Sequence, residues 1–189
     1  MKLFTMIALL LLIFATSGCA LIGLEEEEET ETAETGSMDD LQGTWAISCT
    51  DRTTQLASFS GTNLTSTATL YWDDTCVNAS YILSQSVNNL SPGAKTTLAD
   101  GTEGYSLSGT YQSLTITPLD DLTTSALNFA GLCEINSWQT NVASDISNKT
   151  CGDSLMPKLG TTYSVKYRIS GNKSVVDDGG QQVFVYTKQ

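Results

Sequence analysis

The chain contains no histidine, and that absence governs what its other reactive residues can do. Without an imidazole there is no Ser-His-Asp or Cys-His arrangement, and the usual proton shuttle near neutral pH is missing. Serines are plentiful, but none sits in an activating context. Carboxylates come in adjacent pairs: Asp73-Asp74, Asp120-Asp121 and Asp177-Asp178. Neighbours on a strand point to opposite faces, so adjacency does not make an acid–base dyad. Each pair falls at a turn signal, where Asp side chains bond their own backbone. None has the spacing of a calcium-binding loop. No catalytic residue, metal ligand or cofactor is expected, and the chain reads as a protein that is not an enzyme.

Cysteine offers structural chemistry instead. Cys49, Cys76, Cys133 and Cys151 include no Cys-x-x-Cys spacing, and zinc would require all four thiolates in a chain without histidine. An even number in an exported chain reads as two disulfides, for which three connectivities exist. Cys49–Cys76 and Cys133–Cys151 are favoured because each closes a local loop of the kind hairpins bring together. Each bridge contributes roughly 2–4 kcal/mol.

The elements that must position these residues are strands. Tyr163, Val165, Tyr167 and Ile169 alternate with Ser164, Lys166, Arg168 and Ser170, a period of two that marks a strand with one buried face. Tyr105, Leu107, Gly109 and Tyr111 alternate with Ser106, Ser108, Thr110 and Gln112 in the same way, as do Leu64, Ala68, Leu70 and Trp72 with the intervening threonines and Tyr71. Turn residues at 60–61, 73–74, 88–89, 91–93, 100–101, 171–172 and 177–180 punctuate these runs. The pattern predicts strands at 44–50, 56–60, 64–72, 77–86, 104–111, 113–117, 126–131, 135–140, 161–169 and 182–187. The best helical candidate, 122–132, also reads as a strand around Leu127 and Phe129. Eight to ten antiparallel strands in roughly 150 residues predict an all-β, up-and-down barrel, in which closure removes exposed edges.

Trp72, Tyr105, Tyr111, Tyr163 and Tyr167 fall on the apolar phase of their strands and are expected to point inward. The interior of an eight-stranded barrel is either filled by side chains or holds one small ligand. Aromatic rings with polar tips suit the walls of such a cavity, so these five are the candidate ligand-binding residues. Trp138, inside the loop that a Cys133–Cys151 bridge would close, is an exposed contact or a barrel plug.

The N-terminus carries a separate signal. Lys2 precedes an apolar run from Leu3 to Ala15 of signal-peptide length, too short for the roughly 20 residues of a spanning helix. Thr16-Ser17-Gly18-Cys19 follows, and small residues before a cysteine resemble the lipobox of bacterial lipoproteins. That resemblance implies cleavage before Cys19, acylation (palmitate among the chains) at Cys19, and anchoring to the membrane by lipid. With Ala20 rather than Asp after the cysteine, it implies the outer membrane. The other reading is an ordinary signal peptide that releases a soluble secreted protein. The organisation expected is a signal peptide over 1–18, a tether over 19–40 and a barrel over 41–189.

Net charge is −12, but nine of the 21 acidic residues precede Leu41. Residues 25–37 are acidic and nearly free of apolar side chains, as expected of a disordered, self-repelling spacer. The remaining 12 acidic residues face eight basic ones, leaving the domain at −4. That balance excludes a nucleic-acid footprint and offers no patch for anionic lipid.

The domain opens with Gly43-Thr44-Trp45. A Gly-x-Trp on the first strand resembles the calycin families: lipocalins, avidins and fatty-acid-binding proteins. Cys49, Trp72-Asp73-Asp74-Thr75-Cys76 and Gly109-Thr110-Tyr111 add a likeness to small bacterial lipoproteins with lipocalin-like domains. The resemblance implies that Trp45 closes one end of the barrel beneath a basic residue from a late strand. Arg168 is the candidate partner, with Lys166 or Lys188 as substitutes, because guanidinium stacks on indole. The function expected is a small apolar or amphipathic ligand held in the barrel. The alternative is a structural or interaction module with a filled interior, contacting an envelope protein partner.

Overall fold

The computed structural model describes residues 35–179 and 183–189. The expected signal peptide, Cys19 and most of the expected tether lie outside the described residues. Eight antiparallel strands form one ring: β1 (Gly43–Thr50), β2 (Thr53–Ser60), β3 (Asn63–Tyr71), β4 (Ala79–Thr97), β5 (Glu103–Pro118), β6 (Thr162–Ser170), β7 (Lys173–Asp177) and β8 (Val183–Lys188). Each pairs with its neighbour in sequence, and β8 returns to β1 through Trp45 opposite Lys188 and Ala46 opposite Thr187. The topology is the up-and-down barrel expected from the alternation.

One end is sealed. Ser37 caps a one-turn helix α1 (Met38–Leu41), and Leu41 lies buried against Trp45, whose Nε1 donates to the Leu41 carbonyl at 2.7 Å. Just upstream, Thr35 bridges Ala94 and Gly36 N–H donates to the Gly93 carbonyl. The last residues expected in the tether are therefore packed onto the barrel. Leu64, Val87, Leu90, Leu107, Val165 and Tyr167 fill the interior above α1.

Several expectations are corrected. The turn residues Asn88-Asn89 and Ser91-Pro92-Gly93 do not end a strand. They sit within the 19-residue β4, where the ladder to β5 shifts register three times. Turn-forming residues inside a paired strand produce bulges and bend it. The segments 104–111 and 113–117 are likewise one strand, β5. Residues 126–131 and 135–140 are not strands. Helix α2 (Asp121–Ala130) occupies the first, with Asp120 as N-cap and Gly131 in the left-handed conformation (φ 57°) at its end. The second is irregular apart from the 3-10 turn Leu132–Glu134 before it. Strand β7 lies in a stretch where no strand was expected.

The bend in β4 carries the tip of the β4–β5 hairpin over the outer face of β6 and β7. Lys166 Nζ donates to the Thr97 carbonyl at 2.8 Å, and the Ala99 N–H donates to Asp177 Oδ2 at 2.8 Å. That contact explains a carboxylate only 2% exposed, because a buried charge needs hydrogen-bond partners. The Gly179 N–H supplies a second. Close approach of the tip requires Gly104: a Cβ there would collide with Leu98 Cδ1 and the Tyr167 carbonyl oxygen. Gly104→Ala is expected to destabilise the fold by about 1–3 kcal/mol, read as a lowered urea midpoint. An unchanged midpoint would mean that the tip is not docked.

Candidate functional site

Opposite α1 the barrel is hollow. A cavity of about 410 Å³ opens at this mouth, within the range of small-molecule sites. Tyr111, Tyr163, Phe184 and Tyr186 supply its aromatic wall, and Gln55 and Gln85 its amide tips. A narrower extension of about 50 Å³ continues down to Trp45. A neighbouring hollow of about 400 Å³, by the β1–β2 turn, shares Gln55 and Phe184 with the main cavity.

Strand alternation puts these side chains where they are. Ser174 pairs with Tyr186 and Val176 with Phe184, and directly opposed residues share a face. Tyr111 and Tyr163 meet edge to face with ring centroids 5.5 Å apart, a favoured aromatic geometry. Tyr186 Oη donates to Gln55 Oε1 at 2.6 Å across β1. Burial pushes the Tyr186 phenol up to about 12. It raises Tyr163 further and Tyr111 in the same direction, with the neighbouring charge of Asp178 adding to each. The phenols are therefore neutral donors.

The long connection between β5 and β6, residues 119–161, completes one side of the mouth. Beyond the point where β6 leaves β5, Leu114 and Ile116 still face inward beside Leu83. The insertion covers them with Leu127, Cys133, Trp138 and Ile146, forming a second core. Trp138 is thus neither an exposed contact nor a plug of the barrel. It is the centre of this core, with its backbone held at both N–H and carbonyl by the Asn128 side chain.

Both disulfides form in the favoured local pairing, Cys49–Cys76 and Cys133–Cys151. Both lie at the mouth, one tying the end of β1 to the β3–β4 connection, the other closing the insertion. The acidic pairs do local work there. Asp73 accepts from the Thr75 hydroxyl and from the N–H groups of Thr75, Val77 and Asn78, and these bonds hold its carboxyl well below the usual range. Asp120 accepts from the Thr123 N–H at 2.6 Å and from Trp72 Nε1 at 3.1 Å, which lowers its pKa too. Among the described residues, no group of three or more His, Cys, Asp or Glu is placed to hold a metal.

Of the five aromatics singled out as ligand candidates, Tyr111 and Tyr163 line the mouth cavity. Tyr105 and Tyr167 point inward at the sealed end, 6.1 Å apart, beside a separate hollow of about 280 Å³. Tyr167 Oη donates to the Ser37 carbonyl, so it fastens α1. Trp72 lies beyond the end of β3, 47% exposed, and braces α2 through Asp120. Phe184 and Tyr186 were missed, although with Lys188 they form one alternating phase of β8.

The cation over Trp45 is Lys188, with Nζ 5.1 Å from the ring centroid. Arg168 does not reach the indole. Tyr167 takes the inward phase, so alternation turns Arg168 outward, where Nη2 lies 3.9 Å from Asp100. Lys166 shares that outward phase.

No family model matches the chain. No curated protein matches it significantly either.

The phenols give the barrel a pH signature. In the unfolded chain tyrosine ionises near pH 10, whereas Tyr186 and Tyr167 resist ionisation to about 12. A folded pKa above the unfolded one stabilises the fold below pH 10, and that stability drains as pH rises through the folded value. The urea midpoint is expected to hold from pH 7 to about 9.5 and to fall between about 10 and 12. Tyr186→Phe should make that fall shallower. Phenolate absorbance titrating fully near pH 10 in the folded protein would contradict this.

Proposed function

We propose that this protein is a non-catalytic lipoprotein of the outer membrane, anchored through Cys19, whose barrel binds one small apolar or amphipathic molecule at its mouth. The observation that carries the binding half is the cavity of about 410 Å³ inside a closed ring of strands. Its walls combine ring faces with phenol and amide tips, the lining that orients an amphipathic guest. Two disulfides and the second core stiffen those walls, which reduces the ordering cost of binding. The anchoring half rests on the lipobox-like sequence before Cys19.

Two experiments test the halves separately. A fluorescent apolar probe titrated into the purified protein should bind saturably at one site. Ala68→Phe, which fills the cavity from β3, should weaken that binding at least about tenfold without lowering stability by more than about 1–2 kcal/mol. Equal affinity in the filled variant would remove the cavity from consideration. Cys19→Ala should move the protein from the membrane fraction to the soluble one, and unchanged fractionation would refute acylation there.

A second reading, an interaction module contacting an envelope protein, is favoured by one feature. The outer face of α2 leaves Phe129 97% exposed and Leu122 67% exposed, one above the other. Exposed apolar patches of this kind mark contact surfaces.

A further inference from the structure

The mouth cavity is charged on one side only. Among the described residues that line it, Asp178 is the one with a formal charge. It stands on the exposed rim where β7 ends, close enough for its charge to act on the phenols of Tyr111, Tyr163 and Tyr186. Ring faces attract cations through their quadrupoles. A carboxylate beside several such faces is the chemistry that receives an organic cation. An anionic guest would instead bring its head group against Asp178.

A second, independent observation concerns the surroundings. The connections at the mouth are the β1–β2 turn, the β3–β4 turn, the 119–161 insertion and the residues after β7. They contain nine acidic residues: Asp51, Asp73, Asp74, Asp120, Asp121, Glu134, Asp145, Asp153 and Asp178. They contain three basic ones, Arg52, Lys149 and Lys158, and Arg52 is paired with Asp74 at 2.5 Å. The other described residues, with Asp39 and Asp40 of α1 among them, hold five basic and five acidic residues. Charge balances over the rest of the described barrel, and the net negative charge gathers at one end. That end surrounds the opening, the arrangement that concentrates cations at a cleft.

We propose that the mouth cavity selects a small organic cation with an apolar body, an alkylammonium in class, its head beside Asp178 and its body against Tyr163, Val176 and Phe184. This rests on the reading of the cavity as a ligand site and adds the sign of the guest. The rings of Tyr111, Tyr163 and Tyr186 line the same cavity as Asp178. Phe184 and Val176 offer no hydrogen bond and suit the alkyl portion.

The test uses three probes of equal chain length, octyltrimethylammonium, octyl sulfate and octanol, titrated by calorimetry into the purified protein. The ammonium is expected to bind about tenfold more tightly than the alcohol, and the sulfate more weakly than the alcohol. Raising the ionic strength should narrow the spread, because an exposed carboxylate is screened. Asp178→Asn should bring ammonium and alcohol to within about threefold, while Asp178→Glu should keep the preference. Sulfate binding as tightly as ammonium, or a preference that survives in Asp178→Asn, would overturn the proposal. If none of the three probes binds, the ligand-site reading falls with it. If alcohol and sulfate bind as well as ammonium, that reading stands and the charge selection alone is lost.

Discussion

The pairing of the first strand with the last is the constraint on which this structure depends. It is short, with Trp45 opposite Lys188, Ala46 opposite Thr187 and a further bond from the Gln189 N–H to the Thr44 carbonyl. Without it the sheet has two open edges that carry one charge between them, Lys188, a template for pairing with other chains. The groups concentrated at this seam reinforce it. Lys188 reaches over the Trp45 ring from the directly opposed position, and the indole Nε1 is fastened to α1. A cation over an aromatic face adds about 0.5–1 kcal/mol at an exposed site, while the buried indole supplies apolar area.

The interior is divided by the same geometry. Near the seam, large side chains meet around Trp45 and leave only the narrow extension of about 50 Å³. Towards the mouth, Ser66 and Ala68 on β3 are too small to reach the opposite wall, and the volume they leave is the cavity. A barrel hollow at one end forfeits packing contacts there. Both disulfides are placed at that end. The covalent constraint lies where apolar contact is thinnest, and the sealed end relies on packing, hydrogen bonds and the lysine over Trp45. Stability in such a molecule is not uniform along its axis.

Much of this was legible in the residues. Alternation in 161–169 and 64–72 gave strands and their inward phases, and locality gave the disulfide pairing. Tertiary context decided the rest. Asn88-Asn89 and Pro92-Gly93 are turn chemistry, but the ladder to β5 runs before and after them along β4 and holds them as bulges. Helix α2 did carry a signal, Asp120 at its start and Gly131 just past its end, the capping asymmetry expected of helices. Its Thr- and Ser-rich interior, with a single buried Leu127, hid that signal behind a strand-like composition. The choice of Arg168 over Lys188 followed residue type, whereas phase decides: a partner of Trp45 must share its face, and Tyr167 had already taken the inward position on β6. The cavity could be read only in part, through Tyr111 and Tyr163, because its extent arises from the size of residues facing one another across the ring, on strands distant in sequence.

That last point joins the site to the seam. Phe184 and Tyr186 belong to β8, on one side of the β1–β8 junction, while Gln55, Ser66 and Gln85 belong to strands on the other. The Tyr186–Gln55 hydrogen bond already crosses the junction from β8 to β2 over the intervening β1. An occupant of the cavity touches both sets of strands, so each of its contacts opposes separation of the edges. Anything that binds the closed ring and not the open one stabilises closure by mass action. The protein's own groups hold the mouth by two covalent bridges, the second core and bonds such as Tyr186 to Gln55 and Trp72 to Asp120. A guest, where one binds as proposed, would complete the core of the mouth. The shortness of the seam is thus tolerable because the ring is reinforced from inside, by indole and lysine at the sealed end and by the walls of the cavity at the other.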